Sequence, residues 1–276
     1  MHSLDISSAE RVNREVTLSN YLHAIERVTE LMRHCLRDAL TIDELAESAC
    51  MSRYHFIRVF SQVTGVSPAR FLAALRMQEA KKILLQSNQC VTDITFDTGY
   101  NSLGTFTRIF TDFVGLPPTR FRQLGNSIKG VKFSDMKTLL PRPKLNGESP
   151  TVTGEVTYKS SMDVVVVAKF STPIPRSLPQ ECVCLTDSRN FSFHSQTSLE
   201  TRIFAVGLPR ATTIEDALLL DDKSIYLGSM CPTVSGEEGS QINLRERVLV
   251  DPPIVVAFPL LIAESILMNR RASAIV

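Results

Sequence analysis

Residues 52–71 have the sequence SRYHFIRVFSQVTGVSPARF. A similar stretch, SLGTFTRIFTDFVGLPPTRF, follows 50 residues later at residues 102–121. The residue types that recur at this offset in the first copy are Phe56, Arg58, Phe60, Gly65, Pro68, Arg70 and Phe71. A match at one fixed offset indicates a duplicated structural unit. Upstream the offset falls by one residue, because Leu45-Ala46 matches Ile94-Thr95. We therefore predict that the second unit has a turn one residue longer.

Each copy has the pattern of a helix, a tight turn and a second helix. In the first copy we expect Thr41 to open a helix, Cys50-Met51 to form the turn and Ser52 to cap the next helix. In the second copy we expect Thr92, Gly99-Tyr100-Asn101 and Ser102 to have these roles. Phenylalanines spaced four residues apart predict the buried stripe of each second helix. Ser67-Pro68 predicts the start of a longer helix between the units.

The stripes leave a polar outer side on both second helices, which a helix entering the major groove of DNA requires. The predicted DNA-binding residues are Ser52, Arg53, Tyr54, His55, Ile57 and Arg58 in the first unit, and Asn101, Ser102, Leu103, Gly104, Thr105, Thr107 and Arg108 in the second. An arginine can pair with guanine through two hydrogen bonds or bind a phosphate. Both roles stay open for Arg58 and Arg108, whereas a structural or phosphate contact is favoured for His55.

These residues resemble the AraC/XylS family of bacterial transcriptional regulators over about residues 20–124. The most specific piece is Gly99-Tyr100-Asn101-Ser102 followed by Phe106-Thr107-Arg108-Ile109-Phe110 and Pro117-Pro118. The resemblance implies a seven-helix domain in which a long helix, about residues 69–86, joins the two units and places both recognition helices in successive major grooves. Two residues depart from the family pattern: Thr95 stands where alanine is usual, and Cys50 where glycine is common.

Beyond residue 125 the pattern changes. Gly, Pro and Asn are frequent in residues 126–152, which predicts a linker. Short β-branched runs follow, and they predict strands in a mainly antiparallel sandwich or barrel over residues 153–276. The runs are Thr153–Tyr158, Val164–Ala168, Cys182–Leu185, Phe191–His194, Ile203–Val206, Val248–Val250 and Ile254–Phe258, with one helix at Thr213–Leu220. The fold class is thus multi-domain α and β, with an all-α domain at residues 1–125.

The composition excludes several classes of protein. A net charge of +1 argues against a non-specific nucleic-acid coat, although it permits a specific binder with a few positive groups on one face. No secretory signal and no membrane-spanning run is present, so we expect a cytoplasmic, nucleoid-associated protein without a membrane partner. Most of the six cysteines are expected to be buried small hydrophobic residues, and a disulfide or metal site at Cys182-Val183-Cys184 is disfavoured.

The leading functional hypothesis is a regulator that binds double-stranded DNA and alters the recruitment of RNA polymerase. One alternative is a protein-interaction module with a helical adaptor domain, and another is an architectural DNA binder without sequence preference. A small-molecule effector and a homodimer partner are both kept open for the β region. No cofactor, metal or catalytic residue is expected, because no spacing of Ser, His and Asp suggests a triad.

Overall fold

The computed structural model describes residues 4–132, 152–159, 162–172, 175–176, 179–186, 188–194, 201–209, 212–219, 225–231 and 240–257. Its contacts divide the chain into two compact units, Met1–Arg76 with Val248–Pro253 and Met77–Arg247 with Ile254–Val276. The boundary between the units therefore falls inside a helix. The predicted division at residues 1–125, 126–152 and 153–276 stays a prediction, and most of the predicted linker lies outside the described residues.

Among the described residues, seven helices precede the strands, which is the number that the family resemblance implied. They are α1 (Leu4–His34), α2 (Ile42–Ser48), α3 (Arg53–Thr64), α4 (Pro68–Gln86), α5 (Val91–Asp97), α6 (Leu103–Val114) and α7 (Pro118–Ser127). The long helix α4 begins at the proline that marked its start in the sequence. The turn between α2 and α3 has four residues and that between α5 and α6 has five, which confirms the predicted extra residue.

The second half of the described chain is rich in strands. These are β1 (Val152–Thr157), β2 (Val164–Phe170), β3 (Glu181–Leu185), β4 (Asn190–Phe193), β5 (Arg202–Leu208), β6 (Tyr226–Met230), β7 (Ser240–Asn243) and β8 (Arg245–Glu246), with helix α8 (Ile214–Leu219) after β5. They form one sheet in the order β4-β1-β7 and another in the order β3-β2-β5-β6-β8. All the pairings among these strands are antiparallel except that of β1 with β7.

One apolar core joins the inner faces of the two sheets. Val156 of β1, Val167 of β2 and Ile242 of β7 are fully buried within it. The strand β2, which lies between β3 and β5, is buried along its whole length, because its other face carries Ala168 and Phe170 against Val256. The described strands form a sandwich and do not close into a barrel, so the barrel alternative was wrong.

Two predicted strands are absent from the described residues. Val248–Val250 lies in a turn, where the Val248 amide donates to the Asp251 carboxylate at 2.8 Å. Residues 254–257 of the second run are buried for the most part but join no sheet, and the Ala257 amide donates to the Val114 carbonyl at 3.0 Å. Residue 258 lies outside the described part. The second run was taken for a strand because burial without sheet pairing gives the same apolar pattern, whereas Val248 and Leu249 of the first run are exposed although they are apolar.

The cysteines differ from the expectation. Cys184 is buried, whereas Cys50, Cys90 and Cys231 are exposed, and all six are free thiols. Burial raises the pKa of the Cys182 thiol to about 12 and also raises that of Cys184. Among the described helices, none combines the length and apolar character needed to span a membrane.

Candidate nucleic-acid interface

The first helix-turn-helix unit consists of α2 and α3. Thr41 caps α2 as predicted, because its hydroxyl accepts from the Glu44 amide at 3.2 Å and the Glu44 carboxylate accepts from the Thr41 amide at 2.7 Å. These reciprocal bonds are a capping box. The bonds from the backbone amide and the hydroxyl of Thr41 hold the pKa of the Glu44 carboxyl below its ordinary value.

The turn into α3 reverses the chain through one left-handed residue. Cys50 has φ +56°, its amide donates to the Glu47 carbonyl, and the Met51 amide donates to the Ala46 carbonyl at 2.9 Å. This pair of bonds is a Schellman motif, in which glycine is the usual left-handed residue. Cys50 therefore has a left-handed conformation that favours glycine, and the turn forms both bonds of the motif with a cysteine at this position.

Phenylalanines fix the inner side of α3. Phe56 and Phe60 are fully buried, and their ring centroids lie 5.5 Å apart. Phe60 also packs edge-to-face on Phe71 at the start of α4, at 5.4 Å. The left-handed Gly65 then ends α3. The phenylalanines thus bury one side of the helix, and the outer side of its first two turns stays accessible.

The predicted DNA-binding residues of this unit lie on those two turns. Ser52, Arg53 and Arg58 are exposed, Tyr54 is 86% exposed, and His55 and Ile57 are partly buried. Two contacts were not visible in the sequence pattern: Arg53 forms an ion pair with Asp43 of α2 at 3.1 Å, and His55 packs edge-to-face on Tyr21 of α1 at 5.4 Å.

Arg58 and His55 are neighbours on α3. The Nη2 of Arg58 lies 3.2 Å from the Nδ1 of His55. Since His55 is itself held by Tyr21, this contact orients the Arg58 side chain without neutralising its charge. His55 thus packs on Tyr21 and lies beside Arg58, and its contact with DNA stays a prediction.

The second unit, α5 and α6, repeats the turn chemistry. Gly99 has φ +78° at the position of Cys50, and the Tyr100 amide donates to the Thr95 carbonyl at 3.0 Å. The helix α5 is opened by Cys90 and not by Thr92 as predicted, because the Cys90 sulfur accepts from the Asp93 amide at 3.4 Å. Thr95 is fully buried, and its hydroxyl donates to the Val91 carbonyl at 2.8 Å, so it replaces the family's alanine without leaving an unpaired donor.

The inner side of α6 is again aromatic. Phe106 and Phe110 are fully buried, and Phe110 packs on Phe121 of α7 with centroids 5.7 Å apart. Ser102 caps the helix and accepts from the Thr105 amide at 3.4 Å. By contrast, Ser52 makes no side-chain bond at the start of α3.

The predicted binding residues of the second unit lie on the turn and the first two turns of α6. Thr107 is partly buried, and the exposed residues are Asn101, Ser102, Leu103, Gly104, Thr105 and Arg108. The fold does not require a glycine at position 104, where a Cβ would meet only the Ser102 hydroxyl at 3.9 Å. Within the described part of the chain, the Arg108 guanidinium donates to no hydrogen-bond acceptor. Among the same residues, no cluster of three or more His, Cys, Asp or Glu side chains could hold a metal ion.

Comparisons with known proteins agree with this geometry. Residues 45–124 match the profile of a helix-turn-helix domain. A probable transcription factor of Proteus vulgaris, PqrA, is 31% identical over 97 residues, which cover 35% of this chain and 77% of that protein. The chain belongs to the AraC-type family of helix-turn-helix transcriptional regulators.

Two further relatives match over shorter shares of their length. An uncharacterized helix-turn-helix-type transcriptional regulator of Haemophilus influenzae is 44% identical over 82 residues, which are 30% of this chain and 28% of that protein. The regulator YobQ of Bacillus subtilis is 34% identical over 100 residues, 36% of this chain and 41% of that protein. The chain thus spans less than half the length of these two relatives, and the family assignment concerns the helical region.

Proposed function

We propose that this chain is a sequence-specific transcriptional regulator that binds double-stranded DNA by placing α3 and α6 in successive major grooves. The observation that carries the proposal is the duplication itself. Two helix-turn-helix units have the same Schellman turn, the same aromatic inner stripe and the same exposed first two turns on the second helix. A single helix-turn-helix unit occurs in proteins of many kinds. A protein that binds two successive major grooves needs two such units, each with its own exposed helix.

The charges on the exposed turns support different roles for the arginines. Arg58 and Arg108 are exposed, and neither forms an ion pair with a described carboxylate. Their guanidinium groups are therefore available for the paired hydrogen bonds that recognise guanine. Arg53 is already bound to Asp43, so we assign it to positioning or to a phosphate contact.

The start of α3 supports a phosphate contact. Ser52 precedes the helix but makes no side-chain cap bond, so its hydroxyl is available to a ligand. The first amides of a helix have no intrahelical acceptor and carry partial positive charge, which favours a DNA phosphate. We assign Ser52 to the DNA backbone and Tyr54, with its 86% exposed side chain, to the groove wall or a thymine methyl.

The helix between the units supports binding to two grooves. α4 is a single uninterrupted helix of 19 residues, which corresponds to a length of about 28 Å at ~1.5 Å per residue. A continuous helix of this length is stiff, whereas a flexible linker could fold back on itself.

The α6 surface is less polar than that of α3, because Leu103 and Gly104 occupy its first turn. We therefore assign the stronger sequence discrimination to α3.

One observation favours the alternative of a protein-interaction module. Phe96 on α5 and Leu103 on α6 are 57% and 43% exposed, which is high for large apolar side chains. In a regulator, Phe96 would be available for contact with RNA polymerase, whereas Leu103 would lie in the groove with the first turn of α6. A protein-interaction module would use both side chains for a protein partner and would not need DNA.

Selection of bound duplexes from a random DNA pool tests the proposal. The full chain is incubated with the pool and excess competitor DNA, and retained molecules are amplified and sequenced over several rounds. The proposal requires enrichment of a site with two conserved elements about one helical turn, ~10 base pairs, apart. A pool that is never retained favours the interaction module, and retention without enrichment, with equal affinity for all sequences, favours an architectural binder.

A further inference from the structure

The β sandwich has a cavity of about 650 Å³ at the corner where the chain passes from β7 to β8 and so from one sheet to the other. Small-molecule sites in proteins usually have volumes of about 300–1,000 Å³. The side chains that matter for its chemistry are Tyr158, Lys159, Arg189, Tyr226, Arg245 and Glu246.

Backbone hydrogen bonds fix the walls of this cavity. The Val156 amide donates to the Arg189 carbonyl at 2.8 Å, which ties the residues before β4 to β1. The Leu244 amide donates to the Thr157 carbonyl at 2.8 Å, and Tyr226 pairs with Glu246 between β6 and β8. A wall held in this way loses little conformational freedom when a ligand binds.

The rim of the cavity is positively charged. Three basic side chains and one acidic side chain line it. Across the described residues, neither Lys159 nor Arg189 has a carboxylate partner. The Arg189 guanidinium lies over the ring of Tyr158, at 4.5 Å from its centroid. This cation–π contact orients the group and leaves its N–H donors open to an anion.

The inner part of the cavity is apolar. Tyr158 and Tyr226 are partly buried and pack against the core between the sheets. Leu244, which also lines the cavity, is only 8% exposed. Two aromatic rings beside an aliphatic side chain favour a flat apolar group, and the basic residues at the rim favour a negative charge at its end.

We propose that this cavity binds a small organic anion in which a carboxylate is attached to an aromatic ring. Arg189 and Lys159 bind the carboxylate, and Tyr158, Tyr226 and Leu244 contact the ring. This site goes beyond the DNA-binding function proposed above and does not depend on it, because its lining residues all belong to the β sandwich.

Benzoate is the probe that tests the proposal. Its dissociation constant for the full chain is measured at constant ionic strength by titration with saturation-transfer NMR, beside benzamide and acetate. We expect saturable binding of benzoate in the millimolar range or tighter. Benzamide lacks the charge and acetate lacks the ring, so each should bind at least about tenfold more weakly. Absence of saturable benzoate binding, or equal binding of the three compounds, overturns the proposal.

Two variants locate the site. Arg189→Gln and Lys159→Gln should each weaken benzoate binding by about tenfold or more, whereas Lys129→Gln, an exposed lysine that does not line the cavity, should leave it unchanged. Equal benzoate affinity in all three variants overturns the assignment. Circular dichroism confirms that each variant is folded. Retained binding of the variants to selected DNA separates a failure of this site from a failure of the DNA-binding proposal.

Discussion

Arg76 and Arg122 have the same structural role in the two halves of the helical region. The Nε and Nη2 of Arg76 donate to the carbonyls of Leu36 and Asp38, at 3.0 and 2.8 Å, just after α1. The same two atoms of Arg122 donate to the carbonyls of Leu84 and Gln89, at 3.1 and 2.6 Å, at the end of α4. Carbonyl groups at a helix end have no intrahelical N–H donor. Each guanidinium therefore supplies two N–H donors, which lie in one plane, to two carbonyls at or just beyond that end.

Arg122→Ala should lower the free energy of unfolding by about 2–3 kcal/mol, because it removes two charge-assisted hydrogen bonds that are partly buried. Arg122→Lys should recover less than half of this loss, since an ammonium cannot donate in the same fork. Urea unfolding followed by circular dichroism measures both. Arg27→Ala, on an exposed part of α1, is the control, and an equal effect of Arg27→Ala and Arg122→Ala would remove this role from Arg122.

Cys50→Gly should stabilise the chain by about 0.5–1 kcal/mol, because it relieves a non-glycine residue at φ +56°. Gly99→Ala, the reciprocal change in the second unit, should destabilise it by about 1 kcal/mol. Thermal and urea unfolding of both variants give the two values. If both changes shift stability in the same direction, the two turns do not share the conformation described above.

The sequence predicted the helical region well because its signals occur twice. Gly65 and Gly115 end α3 and α6, and the phenylalanines at both sites are buried as their spacing indicated. The predicted N-cap of α5, Thr92, was wrong, because the sulfur of Cys90 caps this helix. Cysteine is an uncommon N-cap residue, so the sequence did not suggest it. The exposure of the site residues also followed from the helical period. The contacts of Arg53 with Asp43 and of His55 with Tyr21 did not, because they depend on how separate helices pack.

The β region was predicted less completely. The first five strands were found from their β-branched runs, but β6, β7 and β8 were missed. Gly228, the polar residues of Ser240–Asn243 and the charged pair Arg245–Glu246 give no strand pattern. Their burial comes from neighbouring strands: Ile242, for example, is fully buried in the core between the sheets. Such pairings join residues far apart in the chain, and local patterns do not contain them.

Iodoacetamide at pH 8 should modify Cys50, Cys90 and Cys231, which are exposed, and leave Cys182 and Cys184 unmodified. The reason is that alkylation requires the thiolate, and burial raises the pKa of Cys182 from 9.0 to about 12. Mass spectrometry of digested protein measures each site. Bound DNA should slow the modification of Cys50, which lies two residues before Ser52.

The same pKa predicts a dependence of stability on pH. In the unfolded chain the Cys182 thiol ionises near its ordinary pKa of 9.0, while the folded chain keeps it protonated up to about 12. Its contribution to stability is therefore complete below pH 9 and is lost as the pH rises toward 12. Cys182→Ala should make the decline of unfolding free energy above pH 9 shallower, and an unchanged slope would contradict the burial of this thiol.

Helix α6 has an ion pair with the β region. Asp112 and Arg176 lie 3.0 Å apart, with side chains 45% and 34% exposed. A double-mutant cycle with Asp112→Asn and Arg176→Gln should give a coupling of about 0.2–1 kcal/mol that decreases with added salt. The more exposed pair of Asp43 and Arg53 is the comparison and should give a smaller coupling. A coupling of zero at low salt would show that the pair does not form in solution.

Methylation interference at guanine N7 on a selected DNA site tests directly whether α3 and α6 bind two major grooves. Methyl groups should block binding in two neighbouring major grooves, on one face of the duplex and about 10 base pairs apart. Arg58→Ala should remove the interference in one groove and Arg108→Ala in the other, each weakening binding by about 1–3 kcal/mol. Interference confined to one groove, or removed by neither variant, would contradict the binding of DNA by two recognition helices.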